Sequence, residues 1–107
     1  MYIIGDYKFD PRLAQIIDSK NKISDLSPIC FKLLLFLITH QDRLVSKNEL
    51  IEEVWKHHVS DSSINKAVSL LRKYFCDSIH DPKYIITRRK IGYRLVANVQ
   101  FIETKAC

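Results

Sequence analysis

The sequence predicts an α+β fold in which short antiparallel strands come first, three helices follow, and a β-hairpin closes the domain. Three observations carry this reading. Strand-like runs broken by turn residues fill positions 2–26. Apolar residues then recur at helical spacing up to position 75, with a capping residue at each start. Finally, two β-rich runs flank a basic turn that ends in Gly92. At 107 residues the chain has the length of one domain, enough to bury about 65% of its unfolded surface. Its 47% hydrophobic and 27% charged residues exclude a disordered tail and a coiled coil. With no repeat, low-complexity tract or Gly/Ser linker, the expected organisation is one domain over 1–107. Its parts are an N-terminal sheet over 1–26, a three-helix core over 27–75 and a hairpin over 84–99.

The N-terminal strands are Tyr2-Ile3-Ile4, Tyr7-Lys8-Phe9 and Leu13 to Ile17, with Lys22 to Leu26 a candidate fourth. Gly5-Asp6, Asp10-Pro11 and Asp18-Ser19-Lys20-Asn21 break them. Ser27-Pro28 supplies a capping hydroxyl and a proline at the first helical position, where its missing N–H costs nothing. From Ile29 to Ile38 only Lys32 is charged, so this helix is expected to be buried on nearly all sides. Ser46-Lys47-Asn48-Glu49 reads as a capping box in which Glu49 reaches back to the Ser46 N–H. Leu50, Ile51, Val54 and Trp55 continue it as a short second helix with an acidic outer face.

Ser60 or Asp61 caps a third helix that runs to about Phe75. At 100° per residue, Ile64, Val68, Leu71 and Phe75 form its core stripe. Ser62, Asn65, Lys66, Ser69 and Lys73 share an opposite arc of about 100° that contains no acid. Beyond a loop over Asp77 to Lys83, Tyr84-Ile85-Ile86-Thr87 and Tyr93-Arg94-Leu95-Val96-Ala97 are the hairpin strands. The turn between them is Arg88-Arg89-Lys90-Ile91-Gly92, in which Gly92 is expected to supply a positive φ.

The formal charge is +5, and its placement says more than its sum. Within residues 62–94, eight basic side chains meet only Asp77 and Asp81, so the third helix and the hairpin share an electropositive zone. An odd set of three cysteines makes no disulfide framework and fits a reducing, cytoplasmic compartment. The N-terminus lacks a signal-peptide pattern, and the longest uncharged apolar run, Leu33 to Ile38, falls far short of a bilayer span. No Gly-rich phosphate loop, G-x-S-x-G or H-E-x-x-H occurs, so a binding module is expected rather than an enzyme. His57 and His58 have no ligand partner at zinc spacing, and His40 and His80 lie on other segments, so neither a metal nor another cofactor is expected.

Three helices, the last exposing a polar basic face, followed by a hairpin tipped with Arg88, Arg89 and Lys90, is the pattern of a winged helix-turn-helix. A helix about 10–12 Å across fits the major groove of duplex DNA, and a basic hairpin reaches the adjacent backbone or minor groove. The chain resembles the OmpR/PhoB-type DNA-binding domain of bacterial transcription regulators. The resemblance rests on Leu26-Ser27-Pro28 with Phe31, Leu33, Leu34 and Leu37, and on Leu44-Val45-Ser46-Lys47-Asn48-Glu49-Leu50 with Val54-Trp55. It extends through Asp61-Ser62-Ser63-Ile64 with Val68, Leu71, Arg72 and Lys73, and through Tyr84-Ile85-x-Thr87 with Gly92-Tyr93-Arg94-Leu95.

Ser60-Asp61-Ser62-Ser63-Ile64 and Ala67-Val68-Ser69-x-Leu71-Arg72-Lys73 place it near the ToxR/CadC-like branch. In that branch the winged helix stands at the N-terminus, in the cytoplasm, ahead of a linker, one transmembrane helix and a periplasmic sensor. Many family members carry a small residue or glycine where Lys90 stands and a hydrophobic one at Arg88. The wing here is more basic, which implies stronger phosphate contact.

For DNA, Asn65 is the candidate to pair bidentately with adenine and Lys66 the candidate for guanine. Ser62, Ser63, Ser69 and Lys73 are expected to position the helix on phosphates. Arg72 flanks the face and either meets DNA or pairs with an acid. Arg88, Arg89, Lys90 and Arg94 are the wing cations, and Thr87 is a candidate phosphate donor. Tyr93 either donates to phosphate or covers the sheet, and Leu70 either packs on the second helix or meets a thymine methyl. The resemblance further implies an RNA polymerase surface over Glu52, Glu53, Lys56, His57 and His58, for which a plain solvated loop is the alternative. It also implies pairs of domains on half-sites about one helical turn apart. The competing function is a winged-helix protein-interaction module without DNA-binding activity.

Overall fold

The computed structural model describes residues 1–78 and 80–103; the terminal Cys107 and position 79 of the loop after the third helix lie outside the described residues. The chain opens with β1 (Tyr2–Ile4), β2 (Tyr7–Asp10), β3 (Gln15–Ile17) and β4 (Ile23–Asp25). Next come α1 (Pro28–Thr39), β5 (Val45–Ser46), α2 (Lys47–Leu50) with a π-helical turn over Ile51–Trp55, and α3 (Asp61–Tyr74). It ends with β6 (Ile85–Arg88), β7 (Gly92–Leu95) and β8 (Val99–Phe101).

The first sheet has the order β4-β3-β2-β1-β8 and is antiparallel throughout. Alternation sends Ile4, Phe9 and Ile16 inward, where all three are buried. The run expected from Leu13 becomes a strand only at Gln15. Leu13 is exposed, and Ala14 takes a left-handed φ of 52° in the preceding turn. The hairpin does not extend to residue 99 as expected. β7 stops at Leu95, and Val99–Phe101 turns back to pair with β1, Tyr2 opposite Phe101. The Gly5 N–H donating to Asn98 O at 3.0 Å and the Tyr2 ring 5.1 Å from that of Phe101 hold this closure.

α1 is the centre of the core. Ser27 Oγ accepts from the Cys30 N–H at 3.3 Å, with Pro28 in the first turn. Cys30, Leu33, Leu34 and Leu37 are buried, and the Cys30 thiol donates to Ala67 O on α3 at 3.7 Å. The expected capping box at α2 is only half formed. Ser46 Oγ accepts from the Glu49 N–H at 3.1 Å, but Ser46 is also a strand residue opposite Gly92. The Glu49 carboxylate turns instead to a two-pronged pairing with the Arg43 guanidinium at 2.8 and 3.1 Å. α2 ends in a wide turn, with the Lys56 N–H donating to Ile51 O five residues back, and Lys56 itself left-handed at φ 62°.

The second sheet, of order β5-β7-β6, carries the hairpin. Gly92 has the positive φ expected of it, 159°, but this is close to extended backbone and the turn has a separate left-handed residue. That residue is Lys90, at φ 65°, inside a turn closed by the Ile91 N–H donating to Arg88 O at 3.0 Å. Gly92 serves a close approach instead, because a Cβ there would stand 1.9 Å from Val45 O on the neighbouring strand.

Candidate nucleic-acid interface

Ser60 caps α3, its Oγ accepting from the Ser63 N–H at 3.3 Å and meeting Ser63 Oγ at 3.2 Å. Asp61 sits in the first turn and pairs with Lys47 at 3.4 Å, tying the starts of α2 and α3 together. Ile64, Ala67, Val68 and Leu71 bury one side of α3. Ser62, Ser63, Asn65, Lys66, Ser69 and Lys73 are exposed on the rest. Lys66 and Lys73 form no ion pair among the described residues, which leaves two ammonium groups unneutralised on an acid-free face. Leu70, 39% exposed, joins Ile29, Trp55 and Ala67 in a shallow groove of about 430 Å³ beside it.

The cross-strand register divides the hairpin residues between two faces. Thr87 lies opposite Tyr93, and Ile86 opposite Arg94, so Thr87 and Tyr93 share the face toward α3 while Arg94 points the other way. Arg94 comes to 3.9 Å of Asp42 in the loop before β5 and is not brought to the α3 face. Arg88, Arg89 and Lys90 are exposed at the tip, with Ile91 beside them at 58% exposure.

Arg72 and Tyr93, both singled out from the sequence, are buried between α3 and the wing, where they hydrogen-bond to the exposed Thr87 and Asn65. Arg72 is buried and forms no ion pair with an acid among the described residues. Its Nε and Nη2 donate to Ile85 O at 3.4 and 3.1 Å, and Nη2 also donates to Thr87 Oγ1. Tyr93 is buried, and its hydroxyl donates to Asn65 Oδ1. Burial raises the Tyr93 pKa above its ordinary value and Asp61 adds to this, while Arg72 works against it. The Asn65 oxygen, expected free for adenine, therefore already accepts a hydrogen bond.

Asp77 carries structural work that its sequence context gave no reason to expect. Its carboxylate accepts from the N–H groups of Lys83, Tyr84 and Ile85 at 2.8 to 3.3 Å and so sets the entry into β6. The signal available in sequence was an Asp at the helix exit with a short loop ahead of it, a pattern shared by many solvated turns. Glu52, Glu53, Lys56, His57 and His58 are exposed, with His57 Nδ1 2.9 Å from Trp55 O.

Comparison with known proteins follows the same outline. The pattern of the family described as transcriptional regulatory protein, C terminal, matches residues 21–95. The chain belongs to that family. Over 102 residues it is 34% identical to the cholera toxin transcriptional activator of Vibrio cholerae, covering 91% of this chain and 35% of that protein. The DNA-binding domain of E. coli CadC superposes with a TM-score of 0.82 at 30% identity, over 94% of this chain and 95% of that one. The Klebsiella pneumoniae RstA DNA-binding domain, solved in complex with the RstA box, gives 0.76 at 27% identity over 87% and 93%. The winged-helix fold expected from the sequence is thus the fold of this family, as is the likeness to its ToxR/CadC-like members. The chain spans about a third of the length of that Vibrio relative. None of the described helices is long and apolar enough to cross a membrane.

Proposed function

We propose that this domain binds double-stranded DNA in a sequence-dependent way, as the effector domain of a bacterial transcription regulator. The exposed face of α3 enters the major groove, where Lys66 and Asn65 meet base edges and Ser62, Ser63, Ser69 and Lys73 meet phosphates. The Arg88–Lys90 tip lies on the adjacent backbone or minor groove. One observation carries the reading: an unneutralised basic helix face is bonded through Arg72 and Tyr93 to a hairpin whose tip holds three further cations. A two-part grip on a polyanion needs such a fixed geometry between its parts. The family and the domains it superposes on favour this over a protein-interaction module.

The exposed Glu52, Glu53, Lys56, His57 and His58 offer a surface for RNA polymerase, and pairs of domains occupy half-sites about one helical turn apart. The domain works in the cytoplasm, as the DNA-binding part of a longer, inner-membrane-anchored regulator. Titration of a labelled duplex over a salt series tests the core of this reading. Affinity should fall steeply as salt rises, through counterion release. Arg89→Ala should weaken binding to all duplexes and flatten the slope by about one unit. No duplex binding at low salt refutes the proposal.

A further inference from the structure

Resting on that reading, we propose that Tyr93 is a positioning residue for sequence recognition: it fixes the orientation of the Asn65 carboxamide and thereby sets which base edge α3 accepts at one position. Tyr93 lies on β7, is 1% exposed, and directs its hydroxyl at Asn65 Oδ1 on the exposed face of α3. The ring is held on both sides. Val45 pairs with Tyr93 from β5 and Thr87 from β6, and Gly92 admits the close approach of the Val45 carbonyl next to it. The hydroxyl is therefore a fixed point, and the carboxamide hangs from it.

A free asparagine side chain can turn its amide over and offer either a donor or an acceptor at a given place. Here the oxygen is anchored, and Asn65 Nδ2 makes no hydrogen bond among the described residues. The two N–H donors are what the side chain has left uncommitted. This favours acceptor-rich base edges, guanine O6 and N7 or thymine O4. The phenol is protonated at neutral pH by its ordinary pKa and burial raises that pKa further, so the anchor does not titrate there.

The geometry separates a specificity role from a contact role. A tyrosine that touched phosphate would lower affinity for every duplex when lost. A tyrosine that orients Asn65 changes discrimination at one base pair and leaves the number of phosphate contacts alone.

The test selects duplexes from a randomised pool with the wild-type chain, then measures the wild type, Tyr93→Phe, Asn65→Ala and the double variant on every single-base change of the selected site. Thermal melts of each variant establish that it is folded at the assay temperature. Tyr93→Phe is expected to lose about fivefold or more of the preference at one position, the position relaxed by Asn65→Ala, with the salt slope unchanged. In the Asn65→Ala background the same change should have no effect on that preference. Uniform weakening across all sites, or an undiminished effect in the Asn65→Ala background, overturns the inference. Failure of the wild-type chain to select any duplex overturns the DNA reading itself, and the inference falls with it.

Discussion

Replacing Arg72 by methionine separates two roles that the residue's position alone does not distinguish. Methionine keeps most of the buried stem while removing every N–H donor. The lost interactions are those to Ile85 O, at 3.1 and 3.4 Å, and to Thr87 Oγ1. A hydrogen bond from a charged donor is worth about 1.5–3 kcal/mol net. The two acceptors share one guanidinium and their contributions do not simply add, so the expected loss is about 2–3 kcal/mol. For a domain of this size that lowers the midpoint of thermal unfolding by roughly 8–15 °C. The assay is a thermal melt followed by circular dichroism, paired with duplex titration well below the variant's midpoint. There the salt slope should match that of the wild type, because no phosphate contact is lost. An unchanged midpoint together with a slope reduced by about one unit would refute the reasoning and make Arg72 a DNA contact.

Two further outcomes follow from the same structure. Gly92→Ala sets a Cβ 1.9 Å from the Val45 carbonyl oxygen, a backbone atom that cannot swing aside; a loss of at least about 3 kcal/mol in urea unfolding is expected, by the overpacking mechanism. Tyr7 is pushed up to about 12 from its ordinary 10.0, first by burial and then by the neighbouring Cys76 thiol. The unfolded chain then loses this proton before the folded one does, so stability should be intact below pH 10 and fall as pH rises toward 12. Tyr7→Phe should flatten that part of the pH profile of unfolding.

Long periodic segments were the legible part of the fold. α1 could be read as an almost uncharged run behind the Ser27-Pro28 cap, and α3 because its apolar residues repeat on one face behind Ser60. β5, of two residues, and β8, which pairs with β1 about a hundred residues earlier in the chain, were not read as strands, because no turn signal ties either to a neighbouring strand in sequence. In the wing the left-handed φ falls on Lys90, while Gly92 is needed for a close approach. The preference of glycine for positive φ is a local rule, whereas the clash that requires Gly92 comes from Val45, 47 positions earlier in the chain. The composition of the exposed α3 face was visible in the helical periodicity. The inward turn of Arg72 and Tyr93 was not, since it depends on which face of the hairpin packs on α3, a choice made by register. Charge counts alone place Arg94 with the other wing cations, and only strand alternation separates it from them.

Whether one helix face and one hairpin tip grip duplex DNA together is read from backbone amide chemical shifts of the labelled domain as a selected duplex is added. Perturbations should concentrate at the exposed positions of 61–74 and at 88–92, with the strands β1 to β4 unaffected. Perturbations confined to those strands, or to α3 with the wing silent, would contradict a joint grip.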